Sequence, residues 1–506
     1  MSAARPINLI WIVLAGAVAV TLCAVDNRSL WIDEAGSAVL ASEPSFVRFV
    51  GSMFQEGGST AQMPLHGIYA WLWIRMFGIS EVCLRLSNLP WFLMGTAALC
   101  VYWPRRTAPF LILVTFFSPF LWYYLNEFRP YAMGWAGASM IVAPLYAQLD
   151  SCGRQEGRRV PVFPWTLGAG LVVLAASSML GALWCVGAIL AWFWTLPRKG
   201  YRDTSRSSWG AITATACILC LLAVYYLLTL RMGSRGAAVG RTGIKEVAFA
   251  VYELIGMLGL GPGRLELRAT SGAALGQARY FVPVGAAAVG LALVVVRSAL
   301  HSRPWRIPRH AVFWILLASP ATVLIGVGMV MDFRVLGRHF TPGVLLFSAL
   351  LAYGLDLMWR SRHLLQRAGV CVLLGVLAFS CAQVRLAPRH AKDDYRKAAA
   401  LAKDASRSGL TVWWAADVSA ARYYRIEFPD APDVAVPGRI LPVRNTVPES
   451  PDDQPPPSLM ILSKEDLFDA TGSLRDYAIM QGFVCVDSFP AFTVWARPTG
   501  PHHGSF

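Results

Sequence analysis

The chain has 506 residues, of which 56% are hydrophobic and only 15% charged, and its mean hydropathy is +0.48. Soluble domains average about 45–50% apolar and about 25% charged residues, so this composition excludes a soluble enzyme, a disordered protein and a coiled coil. The net charge of +15 lies in the first 384 residues, which hold 31 basic and 15 acidic side chains, whereas residues 385–506 are nearly neutral. Charge concentrated in a membrane region records topology before it records a partner, so we expect a polytopic membrane protein and no nucleic acid.

Eleven apolar stretches have about the length that a helix needs to cross a bilayer. Basic residues collect in alternate connections between them, near 105–106, 154–159, 198–206, 297–309 and 360–367. By the positive-inside rule these connections are cytoplasmic, which predicts a cytoplasmic N-terminus and an extracytoplasmic C-terminus in a bacterial inner membrane. The predicted spans lie near 8–25, 84–103, 108–125, 130–149, 161–178, 181–197, 209–230, 280–298, 311–331, 341–358 and 368–385.

The first connection contains a short apolar segment, PLHGIYAWLWIRMFG (64–78), which includes a histidine and an arginine. A span here would invert every later basic turn, so we interpret it as an interfacial or re-entrant helix with Trp71 and Trp73 at headgroup depth. Residues 26–83 then form one long extracytoplasmic loop.

A second outer loop, residues 231–279, carries seven Lys or Arg against three Glu, although the topology rule disfavours positive charge outside. Contact with lipid headgroups is one explanation. The other is a cradle for an anionic, lipid-linked substrate, to which Arg264 and Arg268 would contribute.

The tail, residues 386–506, has a different composition from the membrane domain, residues 1–385. Helical periodicity at 392–403 is followed by a buried strand at 410–416, a helix at 417–425, the strands SLMILS, FVCVDSF and AFTVWAR, and a helix near 465–481. This order predicts a small extracytoplasmic α/β domain. The sequence contains no GxGxxG motif, P-loop or internal repeat.

Two adjacent carboxylates, Asp33 and Glu34, follow the first span in LWIDEA (30–35). Carboxylates near a membrane surface are costly to desolvate unless they are used or paired. One of them would act as a general base while the other orients it. The competing interpretation is a solvated helix start, because acids favour helix N-termini.

A second candidate group of polar residues lies in SPFLWYYLNEFRPYAM (118–133). The outward turn there is very short, which places Glu127 and Arg129 at the membrane surface. A local ion pair within a Tyr/Trp belt explains the same residues without a function. His66 is a lone histidine, more often structural than catalytic, and we include it among the candidate substrate-binding residues.

The start of the tenth span carries Arg338 and His339, in RHFTP (338–342). A guanidinium at that depth suits bidentate binding of a phosphate. A snorkelling interfacial arginine is the alternative.

Taken together, these segments resemble the C-type polytopic glycosyltransferases, and among them the branch of the dolichyl-phosphate-mannose protein mannosyltransferases and the bacterial aminoarabinose transferase of lipid A. The sequence departs from that pattern at Met63-Pro64, where many members have two prolines. The resemblance lies in LWIDEA (30–35), PLHGIYAWLWIRMFGISEVCLRL (64–86), SPFLWYYLNEFRPYAM (118–133), RHFTP (338–342) and KDDYRKAAALA (392–402).

The resemblance implies an all-α polytopic fold with the small tail domain, a polyprenyl-phosphate sugar donor, and a glycan, lipid or protein acceptor at the outer face. It assigns the essential acid to Asp33, with Glu34 beside it. Glu127 and Arg129 match the second acidic block, and Arg338 matches an arginine near the donor phosphate. Direct displacement by the acceptor then predicts inversion at the anomeric carbon.

Three alternatives stay open at this stage. A divalent ion held by Asp33 and Glu127 is one, although two carboxylates without a histidine cluster do not establish it. A non-catalytic envelope protein whose outer tail binds a partner is the second, but it would leave the carboxylates of the first loop without a function. A transporter or flippase for a lipid-linked or anionic substrate is the third. Transporters place their polar residues at mid-membrane, whereas these charges lie on the outer surface.

Overall fold

The computed structural model describes residues 7–55, 59–153, 165–196, 206–231, 240–270, 273–301, 308–331, 333–429, 438–444 and 456–498. They belong to two compact units. The helical unit comprises the chain up to Asp26 together with Glu43–His390, and the tail unit comprises Asn27–Ser42 together with the chain from Ala391 onward. The predicted turn at 154–159, most of 198–206, part of 297–309 and the Pro-rich stretch near 445–455 lie outside the described residues.

This division differs from the predicted one at residue 385 in one important respect. Residues 27–42, predicted as part of the outer loop of the membrane domain, group with the tail instead. Local sequence patterns do not reveal such a grouping, because it depends on packing between segments that are far apart in the chain.

The helices of the described residues are, in chain order, α1 (Ile7–Ala24), α2 (Ile32–Ala41), α3 (Phe46–Gln55), α4 (Pro64–Phe77), α5 (Glu81–Leu86), α6 (Asn88–Tyr102), α7 (Ala108–Phe116), α8 (Pro119–Leu125), α9 (Tyr131–Gly153), α10 (Trp165–Ser177), α11 (Met179–Thr195), α12 (Arg206–Arg231), α13 (Ile244–Leu254), α14 (Arg264–Thr270), α15 (Ala278–His301), α16 (Pro308–Val330), α17 (Val344–Trp359), α18 (Leu364–Leu386), α19 (Tyr395–Arg407), α20 (Val418–Tyr423), α21 (Glu465–Phe468) and α22 (Ser473–Met480). The strands are β1 (Val412–Ala415), β2 (Ile440–Pro442), β3 (Leu459–Ser463), β4 (Val484–Phe489) and β5 (Phe492–Ala496). Short 3₁₀ turns at Ser59–Gln62, Ala273–Gly276, Gly337–Gly343 and Pro388–His390 connect them.

Each of the eleven predicted spans coincides with helix, and the protein is a multi-pass membrane protein. Within the described residues, six helices are long and apolar enough to cross a membrane, and a seventh is the pair α7 and α8 if it forms one span. The pair bends by 54° where Ser118 caps α8 and Pro119 begins it. The helices α1, α10 and α11 are apolar but shorter, so a total of about eleven spans stays a prediction.

The segment at 64–78 forms α4, a helix of 14 residues that is not among the candidate spans. Pro64 is its first residue, and Gly78 ends it with a φ of 92°. The Trp71 indole donates a hydrogen bond to the Glu43 carbonyl at 3.1 Å, which ties α4 to the connection that precedes α3. An interfacial position for α4 stays a prediction.

Close helix packing fixes the middle of the helical unit. A Cβ atom at Gly137 of α9 would lie 2.8 Å from the Leu174 nitrogen of α10, and one at Gly95 of α6 would lie 2.5 Å from the Trp135 ring. Small residues at such contacts let helices approach closely where hydrophobic burial gives no net gain in lipid. The packing holds the turn between α8 and α9, which carries Glu127.

The tail unit is built on a five-stranded sheet in its described part, with the order β2-β1-β3-β5-β4. Strands β1, β2 and β3 are parallel, and β5 pairs antiparallel with β3 and β4. This confirms the predicted small α/β fold. The helix predicted near 465–481 is instead the pair α21 and α22, separated by Gly472 at a φ of 76°, and the short strand β2 is an addition.

Candidate functional site

The turn after α8 is fixed by buried hydrogen bonds. The Asn88 side chain donates to the carbonyls of Leu125, at 3.0 Å, and Glu127, at 2.7 Å. The Asn126 side chain accepts from the Asp26 backbone nitrogen at 2.9 Å. The Glu127 backbone is therefore held in a fixed place, and the residue is only 1% exposed.

The end of the first span is held by a second buried contact. Arg85, which is 0% exposed, donates to the Asp26 carbonyl and to its Oδ1, both at 3.0 Å. A buried arginine that satisfies a backbone and a side-chain acceptor together fixes the orientation of both groups. This pair anchors the start of the first loop.

Arg264, the first residue of α14, lies between two buried carboxylates. Its Nη2 is 2.5 Å from Glu253 Oε1 and donates to the Tyr124 hydroxyl at 2.6 Å. Its Nη1 is 4.0 Å from Glu127 Oε1, and the guanidinium lies 3.8 Å above the Tyr123 ring. The Arg264 side chain retains 27% exposure. The centre therefore combines a partly accessible cation with carboxylates that have almost no contact with solvent.

Opposing effects act on the pKa of Glu253. Burial raises the pKa of its carboxyl above the ordinary value, while Arg264, Arg338 and a hydrogen bond from the Gly337 nitrogen offset part of that rise. A Cβ at Gly337 would lie 1.9 Å from Glu253 Oε2, so only glycine allows this approach. The glycine before RHFTP thus brings Arg338 into the electrostatic neighbourhood of Glu253.

His66 on α4 lies within the electrostatic influence of Arg129, which belongs to the turn between α8 and α9. The His66 ring packs 5.4 Å from the Phe128 ring and is buried. Burial, and secondly the charge of Arg129, lower the pKa of His66 to about 3, so the imidazole is neutral at physiological pH. Its Nε2 has no hydrogen-bond partner among the residues that the structure describes.

Two further predicted residues have less central positions. His339 Nδ1 accepts a hydrogen bond from the Leu336 nitrogen at 3.1 Å, and its ring stacks on Phe333, so it organises the turn before α17. Arg268 lies one helical turn after Arg264 on α14, and its side chain is exposed.

Asp33 and Glu34 belong to the tail unit and differ sharply in environment. Both lie in the first turn of α2, where the helix dipole favours acids. Glu34 is fully buried, and its Oε2 accepts from the Trp31 nitrogen and from Lys392 Nζ, each at 3.3 Å. Asp33 is only partly buried. Of the two acids, Asp33 is the one that retains contact with solvent.

In the helical unit Arg264 lies near Glu127, and Arg338 acts electrostatically on Glu253 beside Arg264. His66 lies near Arg129. All of these residues except Glu253 had been singled out from the sequence. Sequence reasoning missed Glu253 and Tyr124. It counted Glu253 only as a charge offset in the basic loop, although a glutamate within an otherwise apolar helix stretch was a usable signal. In the tail unit it missed the partnership of Glu34 with Lys392.

Within the described ranges, no group of three or more His, Cys, Asp or Glu is arranged to hold a metal ion. The carboxylates suggested as ion ligands, Asp33 and Glu127, belong to different units. Glu127 has the Arg264 guanidinium as a neighbour.

No protein-family profile matches the sequence, and no curated protein does. Solved structures are similar to it. One is ArnT from Cupriavidus metallidurans in the apo state, with a TM-score of 0.50, 13% identity, and coverage of 97% of this chain and 98% of that one. The same protein bound to undecaprenyl phosphate gives a TM-score of 0.49, 13% identity and coverage of 99% and 100%. The arabinofuranosyltransferase AftD from Mycobacteria gives 0.46 and 15% identity, over 99% of this chain and 40% of that one.

At such identities the similarity concerns the fold. The ArnT match extends over nearly the whole of both chains and therefore includes the helices and the tail. The chain therefore shares its fold with ArnT.

Proposed function

We propose that the protein is an integral-membrane glycosyltransferase that moves a sugar from a polyprenyl-phosphate donor to a glycan, lipid or protein acceptor outside the cytoplasm. The observation that carries this proposal is the Arg264 centre in a chain of this fold. A fixed and partly accessible guanidinium is suited to bind a phosphate and to stabilise it as a leaving group. We assign the protein to the bacterial inner membrane, with its N-terminus inside and its tail outside.

The carboxylates around Arg264 fit an anion site that is filled only part of the time. Without a ligand they compensate the guanidinium charge, which would otherwise be costly to bury. When a donor phosphate approaches, Glu253 can take up a proton, because burial has already raised its pKa. Its negative charge then no longer opposes the phosphate, and Arg264 and Arg338 can turn towards the new ligand.

Asp33 is the proposed general base. The acceptor hydroxyl or amine gives its proton to the Asp33 carboxylate while its lone pair forms a bond to the anomeric carbon. The bond from that carbon to the phosphate oxygen breaks, and its electron pair leaves with the polyprenyl phosphate. A single displacement of this kind inverts the anomeric configuration, and a positioned base typically contributes about 10²–10⁴-fold to the rate.

The isoprenoid chain of the donor needs an apolar binding site. An apolar cavity of about 250 Å³ lies between α16 and α17 and is lined by Trp314, Leu346, Leu350 and Tyr353 among others. These residues recur at helical spacing, so each helix contributes one face. Burial of a hydrocarbon chain there would stabilise binding by roughly 0.8 kcal/mol per CH₂.

The decisive experiment measures transfer of radiolabelled sugar from polyprenyl phosphate to envelope acceptors, with the purified protein in liposomes. We expect Asp33→Asn to lower kcat by about 10²-fold or more. Arg338→Ala should weaken donor use, since it removes a cation from the phosphate site. Arg407→Ala, a matched charge removal on the exposed face of α19, should leave transfer unchanged.

Two results would count against the proposal. Full transfer by Asp33→Asn would remove the proposed base. Movement of the lipid-linked sugar across the liposome membrane, with no transfer to any acceptor, would instead favour a transporter or flippase.

A further inference from the structure

The KDDYRK motif at residues 392–397 opens the tail, and the proposed chemistry leaves it unexplained. Its first residue, Lys392, reaches Glu34 of α2, with 3.3 Å between Nζ and Oε2. Both side chains are almost inaccessible, with 5% exposure for Lys392 and 0% for Glu34. Charges buried to this degree hold their partners in a defined geometry, because separating them leaves an unpaired charge away from water.

The same carboxylate also organises the start of α2. Glu34 Oε2 accepts a hydrogen bond from the Trp31 backbone nitrogen, which closes the first turn of the helix. Lys392 therefore acts on the turn that contains Asp33 through a single intermediate side chain.

A second contact holds the chain just before α2. The Arg396 backbone nitrogen donates to Ser29 Oγ at 3.1 Å, and its Nη2 donates to the Asn27 carbonyl at 2.6 Å. Directly after α20, the Tyr424 hydroxyl accepts from the Leu30 nitrogen at 2.9 Å. This segment is thus held at the Asn27 carbonyl, the Ser29 hydroxyl and the Leu30 nitrogen.

The third contact is indirect. Asp393 forms a buried ion pair with Lys464, at the carboxyl end of β3. Lys464 Nζ in turn lies 5.9 Å from the centre of the Trp31 ring, within the range of a cation–π interaction. Through Lys464, both the sheet and the KDDYRK motif are connected to Trp31, the residue that precedes α2.

We propose that residues 392–396 form a clasp that positions Asp33 for its reaction, with Lys392 and Arg396 as the positioning residues. Glu34 then serves as the link between the clasp and α2. This inference rests on the proposed function. It explains why the tail begins with two buried charges of opposite sign, Lys392 and Asp393.

The physical reason for a clasp is the precision that a general base requires. A productive arrangement demands placement within about 0.5 Å, and a displacement of about 1 Å can cost about 10²-fold in rate. A loop that follows a transmembrane span does not hold that tolerance without fixed partners.

The test uses the full-length protein in liposomes with two readouts, transfer kinetics and amide hydrogen exchange of Ile32–Ala41. We expect Lys392→Met to lower kcat by about 10- to 100-fold, with the donor KM within about twofold of wild type. The α2 amides should exchange at least about tenfold faster. Arg396→Ala, at an exposed side chain, tests the same clasp with less risk to folding, and Lys392→Arg should restore most of the activity.

The matched control is Lys397→Ala. Lys397 belongs to the same motif, but it pairs with Asp487 of β4, where both side chains are substantially exposed, at 44% and 37%. It should change neither readout.

The outcomes separate this inference from the proposed function. If α2 exchanges at wild-type rate in both Lys392→Met and Arg396→Ala, there is no clasp. If exchange rises while kcat stays at the wild-type value, the clasp exists but does not position the base. If the wild-type protein transfers no sugar, the proposed function fails, and the exchange result still decides whether the clasp is present.

Discussion

The Arg264 centre of the helical unit and the Glu34 centre of the tail unit use the same elements, a buried carboxylate and a cation, in opposite ways. At the first centre, the cation keeps 27% of its exposure and has two carboxylate neighbours, Glu253 and Glu127. At the second, one carboxylate and one lysine are both buried and paired with each other.

The difference indicates different tasks. A buried pair with balanced charge has no remaining electrostatic attraction for a ligand, so it serves geometry. A partly exposed cation with more carboxylate neighbours than it needs can exchange one of them for an anion. Exposure and charge balance, rather than the presence of an ion pair, therefore distinguish a binding centre from a structural one.

The largest effect in this comparison is expected for Arg264→Met. It removes the guanidinium from the proposed phosphate site, and we expect kcat/KM for the donor to fall by about 10²-fold or more, the scale of a lost transition-state donor. Steady-state transfer at varied donor concentration measures it.

Arg268→Met is the matched substitution, since it removes the same charge one turn away on α14 from an exposed position. We expect a loss of less than about threefold, because an exposed charge is screened by solvent. Equal losses in the two variants would mean that the loop acts as a diffuse basic surface without a defined centre.

A smaller effect is expected in the pH dependence of donor binding. Burial raises the pKa of Glu253, and a protonated Glu253 no longer competes with phosphate for Arg264. The donor KM should therefore fall as the pH falls through that pKa and rise as the pH increases above it. The donor is a phosphodiester and keeps its charge throughout, so it does not produce this dependence itself.

The variant Glu253→Gln tests whether Glu253 causes this pH dependence. It keeps the shape of the side chain without its charge, and the donor KM should then be low and nearly independent of pH. A pH dependence that survives in Glu253→Gln would assign the titration to another group.

Much of the fold could be predicted from the sequence. The length of an apolar stretch predicts a membrane helix, and a short continuous apolar run predicts a buried strand such as Val412–Ala415. The bend between α7 and α8 at Ser118-Pro119 was not predicted, because the hydropathy pattern indicated one span over 108–125. The number of crossings is harder to predict, because short helices such as α10 do not by themselves reach the thickness of a bilayer.

The candidate site was only partly accessible. Motifs identified Asp33, Glu127 and Arg338 because their residue types are unusual at a membrane surface. The role of Glu253 depends on its contact with Arg264, more than ten residues further along the chain. The role of Lys392 depends on its contact with Glu34, several hundred residues before it. Local sequence spacing does not predict such contacts. Asp33 and Glu34 differ in burial, and this difference does not follow from two adjacent acidic residues in the sequence.

The smallest effect is expected at His66, and it sharpens the same distinction between binding and structure. Because burial and Arg129 lower the pKa of His66 to about 3, the imidazole does not change its charge between pH 5 and pH 8. His66→Asn, which keeps a polar group in the same place, should therefore leave the shape of the pH–rate profile over that range unchanged and alter kcat by less than about threefold, since it removes no charge and no proton carrier. If the profile instead lost a limb near neutral pH, His66 would be a proton carrier, and its buried imidazole would have to be open to water during turnover.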